Sequence, residues 1–220
     1  LDETLSDPAV MEVAWENEQR FTLALQDQVV NNTNSKSLAI GSVFVVSGGT
    51  GGITAPIIED LAQYTQGHFY LLARTPLPET DHPELSLLNS DPEQLKFTIL
   101  QRLSKNGQKA TPAIINQEIA ALERAAATLK TMSKIQAAGG QVNYIPCDVT
   151  NQLAVQQTVE QIIQQVDQVD VLIHAAGVEK SRKLESKSEE EFRQIVNIKA
   201  GGFFNLFKAF ETTGKLPNAI

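Results

Sequence analysis

The stretch from Ser42 to Gln66 constrains the fold more than any other part of the chain. Ser42-Val43-Phe44-Val45-Val46 is a continuous apolar run, the pattern of a parallel strand buried on both faces. It leads directly into Ser47-Gly48-Gly49-Thr50-Gly51-Gly52-Ile53, and a helical pattern extends from about Gly52 to Gln66. Pro56 falls near the first turn of that helix, where a missing N–H matters little. Gly67 closes it, and His68-Phe69-Tyr70-Leu71-Leu72 reads as a second strand. Val142–Pro146 and Val169–Ile173 read as third and fourth strands, with a helix over Gln152–Val166 between them and another over Ser188–Thr213. Strands alternating with helices argue for parallel βαβ units. The expected fold class is α/β, a doubly wound parallel sheet with helices on both faces.

Two segments fall outside this alternation. Between the second and third strands, about 76–138, the chain is too long for one crossover. A Pro-rich loop is expected over Thr75–Pro92, then a helix over Glu93–Lys105, a break at Asn106-Gly107 and a long helix over Pro112–Ala138. This is a helical insertion, either a solvated amphipathic hairpin or a docking surface. At the N-terminus, Val10–Trp15 and Arg20–Leu25 flank a polar Glu16-Asn17-Glu18-Gln19, the pattern of a β-hairpin, and Asn31–Ser37 is a polar linker. An isolated hairpin is marginal, so residues 1–37 read as the end of another subdomain, and 38–220 as the sheet domain. The chain starts without Met and stops at Asn218-Ala219-Ile220, as a piece of a longer protein would.

Composition removes whole classes of function. The net charge is −8 and the basic residues do not cluster, so no nucleic-acid surface is expected. No apolar run approaches the roughly 18 residues of a membrane span, and no signal peptide is visible. One cysteine, Cys147, and three scattered histidines, His68, His82 and His174, offer no metal-ligand spacing. A cytoplasmic protein without a metal is the expectation.

The chemistry sits at the expected carboxyl ends of the strands. A glycine turn between strand and helix lets backbone N–H groups approach a pyrophosphate and aims the helix N-terminus at its charge, so Ser47–Ile53 points to dinucleotide binding. No Lys comes after it, which excludes a Walker-type phosphate loop. The second strand ends in Arg74-Thr75, where NAD-binding chains carry a carboxylate for the ribose 2′-hydroxyl. A cation there suits the 2′-phosphate of NADPH, with Thr75 as a second donor; otherwise Arg74 is a surface arginine. Asp148, in Cys147-Asp148-Val149-Thr150, either caps the next helix or reaches a purine amino group. His174-Ala175-Ala176-Gly177 comes after the fourth strand, with small residues that let backbone lie beside a cofactor. His174 itself reads better as a loop-anchoring histidine than as a catalytic one.

These four signals, in this order, resemble the short-chain dehydrogenase/reductase superfamily. More narrowly, they are similar to the ketoreductase domains of modular polyketide synthases and of polyunsaturated-fatty-acid and glycolipid synthases. The resemblance covers nearly the whole chain. It implies a Rossmann-type fold, with Ser47–Ile53 as the family's Thr-Gly-Gly-x-Gly-Gly turn carrying Ser for Thr, and Thr54 where a last glycine is usual. It implies Arg74 as the NADPH-selecting arginine, Asp148-Val149 as the adenine-binding pair and His174–Gly177 as the (Asn/His)-Ala-Ala-Gly turn. The hairpin Val13–Leu25 resembles the last strands of the structural subdomain that precedes such reductases. Lys199, in Lys-x-x-Gly-x-x-Asn-Leu, matches the lysine supporting the proton relay, and Asn197 is the fallback, since other superfamily members use an asparagine on this helix.

The resemblance further implies reduction of a 3-oxoacyl thioester held by an acyl carrier protein, among flanking synthase domains. Such enzymes need a Ser for the carbonyl and a Tyr to protonate it, the Tyr followed four residues on by Lys or Asn. Tyr64, Tyr70 and Tyr144 are followed instead by His68, Arg74 and Asp148. The catalytic Ser and Tyr are therefore expected to be absent from this chain, which by itself should be inactive. A different class stays open, a dinucleotide-binding or scaffolding module without chemistry.

Overall fold

The computed structural model describes residues 12–24, 38–80 and 82–220. The chain divides into two units, Leu1–Ser37 and Leu38–Ile220. In the first, β1 (Val13–Glu16) pairs antiparallel with β2 (Gln19–Thr22). Asn17 and Glu18 form the turn with φ of 49° and 64°. Positive φ at both central residues gives a two-residue turn whose twist matches the strands, so Glu16 and Gln19 join the ladder rather than the connection expected from sequence. Val10, Leu25 and the linker Asn31–Ser37 lie outside the described residues.

The second unit holds four strands, β3 (Val43–Ser47), β4 (His68–Ala73), β5 (Gln141–Pro146) and β6 (Val171–His174), in the order β5-β4-β3-β6 and all parallel. The topology is Rossmann-type: successive strands step outward from β3 on one side, then β6 returns to its other side. Ser47 lies opposite both Leu72 and His174, so the strand ends are level at the carboxyl edge beside that switch point. Alternate residues feed two cores. Val45, Tyr70 and Leu72 face α5 (Gln152–Gln165) and α7 (Gly202–Thr213), meeting Val155, Val159, Leu206 and Phe210. Phe44, Val46, Phe69 and Leu71 face α1 (Thr54–Thr65) and α4 (Pro112–Ala137), meeting Ile58, Ala62 and Ile135. The central strands β3 and β4 carry continuous apolar runs because both of their faces are covered, whereas the edge strand β5 alternates with the polar Gln141 and Asn143.

Three expectations change. The loop expected over Thr75–Pro92 contains α2 (Pro83–Ser90), and α3 begins at Pro92 (Pro92–Lys105). Pro83, Pro92 and Pro112 each stand in the first helical turn, where proline starts a helix instead of breaking one. His82 Nδ1, Asp91 Oδ1 and Thr111 Oγ1 accept the capping bonds from Glu84, Gln94 and Ile114 N–H. The insertion has its own core of Leu95, Ile99, Leu103 and Leu122, and Arg102 bridges Glu84 and Glu118 at 2.8 Å each.

The fourth strand starts at Val171 rather than Val169, because the Asp170 carboxylate accepts the Val43 N–H at 2.8 Å. On the far side of β6, Val171 bridges Ala219 in parallel. Finally, the helix expected over Ser188–Thr213 is capped by Ser188 and runs as α6 (Glu189–Val196), a π turn (Asn197–Gly201) and α7.

Candidate functional site

The glycine turn sits at the centre of the sheet's carboxyl edge. Gly48 has φ 70°, and a Cβ there would lie 2.6 Å from the Ala176 Cα and N, so the turns after β3 and β6 touch backbone to backbone. Gly48 N–H donates to Leu72 C=O and Ala175 N–H to Ser47 C=O, at 3.1 and 2.9 Å. Gly49 serves packing instead. Its Cβ would meet Ile58 and Val46 side chains at 2.6 and 2.7 Å, so glycine there lets α1 lie against β3. Gly51 and Gly52 border open space. The start of α1 has no side-chain cap and no acidic residue in its first turn; Thr54 N–H donates to Gly51 C=O at 3.2 Å and Pro56 has none to give, so it is chiefly the positive dipole end that is left for an anion.

A cleft of about 1060 Å³ opens above this edge. Of the residues expected at the site, Gly48, Thr50 and Gly51 line it from the first turn, and Arg74 and Thr75 from the end of β4. Asp148 and Val149 line it after β5, Ala176 and Gly177 after β6, and Asn197 from the π turn. Ser47, Gly49, Gly52, Ile53, His174, Ala175 and Lys199 are not on its wall. Ile53 is 83% exposed, whereas Ser47 is buried beneath the turn.

Asp148 does not cap α5. Asn151 does, its Oδ1 accepting from Ala154 N–H at 3.1 Å. The Asp148 carboxylate instead accepts from Thr150 Oγ1 and N–H at 2.7 and 2.9 Å. Those bonds, with Arg74 nearby, hold its pKa below the usual carboxylate range. Asp148 therefore meets the cleft as an anion.

His174 ties three elements together beneath the cleft. Its Nε2 lies 3.1 Å from Ile198 C=O, which can only accept, so Nε2 carries the proton and Nδ1 accepts from Ser47 Oγ at 2.6 Å. Burial lowers its pKa and favours this neutral form, although bonds to the Ile198 and Lys199 backbone oppose the shift. A Cβ on Gly202 would lie 3.0 Å from His174 Cε1 and 2.8 Å from Val149 Cγ2, so glycine lets the helix close on the ring. Asn205 fastens the same helix, donating to Val149 C=O at 2.9 Å. Lys199 lays its stem against Gly177, whose Cβ would lie 3.1 Å from Lys199 Cε, and its Nζ is 3.9 Å from Glu179.

None of the three tyrosines presents a hydroxyl to the end of the cleft near Asn197. Tyr64 is exposed on α1, and Tyr70 is in the core with its hydroxyl on Gln165. Tyr144 does line the cleft but donates to Thr75 C=O, and burial raises its pKa.

Sequence reasoning missed this Tyr144 contact and missed α4 altogether as a wall of the site. Ala120, Ala121, Arg124 and Thr128 line the cleft, and the Thr128 and Thr50 hydroxyls are hydrogen-bonded at 2.8 Å. The signal was available: Ala120, Ala121, Ala125 and Thr128 put small or hydroxylated residues on one helix face around a single large one, Arg124. Among the described residues no group of His, Cys, Asp and Glu could hold a metal, and no helix is long and apolar enough to cross a membrane.

Residues 42–216 match the family model of the KR domain, which spans the sheet, the insertion and the π turn. The chain belongs to the KR (ketoreductase) domain family. Within the short-chain dehydrogenase/reductase superfamily, one relative of this KR domain is a polyunsaturated fatty acid synthase polypeptide of Thraustochytrium sp. It is 26% identical over 201 residues, which cover 89% of this chain and 7% of that one. A solved ketoreductase domain from the bacillaene assembly line covers 94% of the KR domain chain and is covered over 38% of its own, at 18% identity and TM-score 0.56. A Burkholderia cenocepacia dehydrogenase solved with bound NADP aligns over 81% of this chain and 50% of its own, at 14% identity and TM-score 0.54. The KR domain chain thus spans a small part of these relatives, and the two structures support the fold.

Proposed function

We propose that this KR domain binds NADPH and takes part in reducing a 3-oxoacyl thioester, carried by an acyl carrier protein, to the 3-hydroxyacyl form within a polyketide- or fatty-acid-type synthase. The observation that carries the cofactor choice is Arg74. It lines the cleft at the end of β4 and forms no ion pair among the described residues, where an NAD site would place a carboxylate. The residues fit a dinucleotide: Gly51 faces open space on the cleft wall, and the first turn of α1 lacks a side-chain cap. Gly48, Thr50 and Gly51 hold the pyrophosphate, Arg74 and Thr75 the 2′-phosphate, and Asp148 with Val149 the adenine.

When bound, NADPH supplies the hydride. The chain's own part near that chemistry is Lys199, beside Gly177, which supports the proton relay to the carbonyl oxygen, with Asn197 on the cleft wall as the alternative. The synthase setting rests on the fatty acid synthase relative and the assembly-line structural neighbour. The alternative is a module that binds the dinucleotide without performing chemistry.

The test is direct binding. NADPH should bind more tightly than NADH, since one charge-assisted contact is worth about 1.5–3 kcal/mol, roughly ten- to a hundred-fold. Arg74→Asp should abolish or reverse the preference. Equal binding of both cofactors to wild type and variant would refute the cofactor assignment. Turnover of a 3-oxoacyl thioester by the full synthase polypeptide separates the reductase from the non-catalytic module.

A further inference from the structure

The insertion is more than a decoration on the crossover, because its last helix forms part of the cofactor cleft. Four cations line that cleft: Arg74, Arg124, Lys180 and Arg193. Lys180 is committed to Glu191 at 3.9 Å and Arg193 to Glu189 at 2.6 Å. Arg74 and Arg124 form no ion pair among the described residues, although the Asp148 carboxylate lies near Arg74, so both guanidinium groups can still meet an anion in the cleft. One comes from the end of β4 and the other from the middle of α4.

The position of α4 is fixed rather than incidental. Thr128 is 4% exposed; its hydroxyl donates to Arg124 C=O at 2.9 Å and accepts from Thr50 Oγ1 in the glycine turn at 2.8 Å. One turn further on, Thr131 and Lys134 both reach Glu59 of α1, and Ile135 is fully buried in the sheet core. Arg124 stands one turn before Thr128 on the same stripe, and a helical side chain leans toward the N-terminus. It therefore extends over the cleft from a base anchored to Thr50. Ala120, Ala121 and Ala125 beside it are small and leave the space open. The acidic Glu123 also lines the wall but bonds neither arginine.

We infer that Arg124, delivered by the insertion helix, is a second binding residue for the 2′-phosphate, opposite Arg74. A phosphate monoester carries up to two charges and three acceptor oxygens, which two planar guanidinium groups can share. The selectivity of the site is thereby shared between the sheet and the insertion. This rests on the NADPH reading, in which Arg74 takes the same group.

The test uses adenosine 2′,5′-bisphosphate and adenosine 5′-monophosphate as probes, titrated calorimetrically into the intact polypeptide. Arg124→Gln should weaken the bisphosphate about ten-fold and leave the monophosphate unchanged, while Arg124→Lys recovers part of the loss. An unchanged melting temperature for Arg124→Gln shows that the fold is intact; if it drops, Arg124→Lys and Arg124→Met carry the comparison. Loss of both probes equally, or of neither, overturns the role of Arg124 while leaving that of Arg74 standing. If wild type binds both probes alike and Arg74→Gln changes nothing, the NADPH reading falls and this inference with it.

Discussion

Replacing Gly48 by alanine puts a methyl group 2.6 Å from the Ala176 Cα and N and 2.7 Å from the Ala175 carbonyl carbon. Carbon atoms at rest sit about 3.5–4.0 Å apart, so the overlap is near 1 Å against backbone that no rotamer change can move. The φ of 70° adds a left-handed conformation, worth about 1–2 kcal/mol against an L-residue. Relieving the clash separates the β3 and β6 turns and stretches the Gly48–Leu72 and Ala175–Ser47 hydrogen bonds, each contributing about 1 kcal/mol. We expect a loss of about 3 kcal/mol or more, a large part of a 5–15 kcal/mol margin. Gly51→Ala is the internal control: its Cβ meets nothing and its φ is ordinary. It should leave stability within about 0.5 kcal/mol yet weaken cofactor binding, because the methyl occupies space on the cleft wall. Urea denaturation and cofactor titration of both variants read the two effects apart. If Gly48→Ala proves as stable as Gly51→Ala, the backbone contact between Gly48 and Ala176 is wrong.

Tyr144→Phe removes the hydroxyl that holds Thr75 C=O, and NADPH affinity should fall several-fold, about 1 kcal/mol, more than NADH affinity; equal effects on both would show that Tyr144 does not act through Arg74-Thr75. His174 is held neutral by burial with its pKa lowered, so the unfolded chain binds the proton first as pH falls below about 6.5. Its contribution is full above that pH and is lost as pH falls through the folded-state pKa; in urea melts from pH 8 to 5, His174→Asn should flatten part of the decline, and parallel curves would refute this. The 220-residue chain alone should not oxidise NADPH with a 3-oxoacyl thioester, because Tyr64, Tyr70 and Tyr144 are occupied elsewhere or exposed on α1; a positioned acid contributes about 10²–10⁴ in rate, and turnover would show that another group donates the proton.

The central strands were legible because both of their faces are buried, so Val43–Val46 and Phe69–Leu72 carry unbroken apolar runs that few other structures explain. The residues at the strand ends were legible as types: glycines after β3, a cation after β4, a carboxylate after β5. Longer-range features escaped. The proline density of Thr75–Pro92 suggested a loop because proline alone does not distinguish a helix start from a break; the caps at His82 and Asp91 decide it. The wall built by α4 depends on which face of a long helix meets the glycine turn, and that is set by the Thr50–Thr128 contact 78 residues apart in sequence. The π turn left no readable mark in the hydrophobic pattern.

That last absence has a physical reason. A π turn takes up one more residue than an α turn without rotating the helix beyond it. The helix before the bulge, α6, buries no residue, whereas Ile198 within it and Leu206, Ala209 and Phe210 after it face the sheet, so no buried stripe crosses the bulge for the extra residue to put out of step. The supernumerary residue is invisible to the core and is felt only at the cleft, where it widens the helix around the Ile198 carbonyl taken by His174. Deleting Ala200 should restore an ordinary helix with the same buried stripe, while drawing Asn197 and Lys199 off their stations. The stretch Asn197–Gly201 is thus a place where the backbone can change its function while the fold hardly registers the difference.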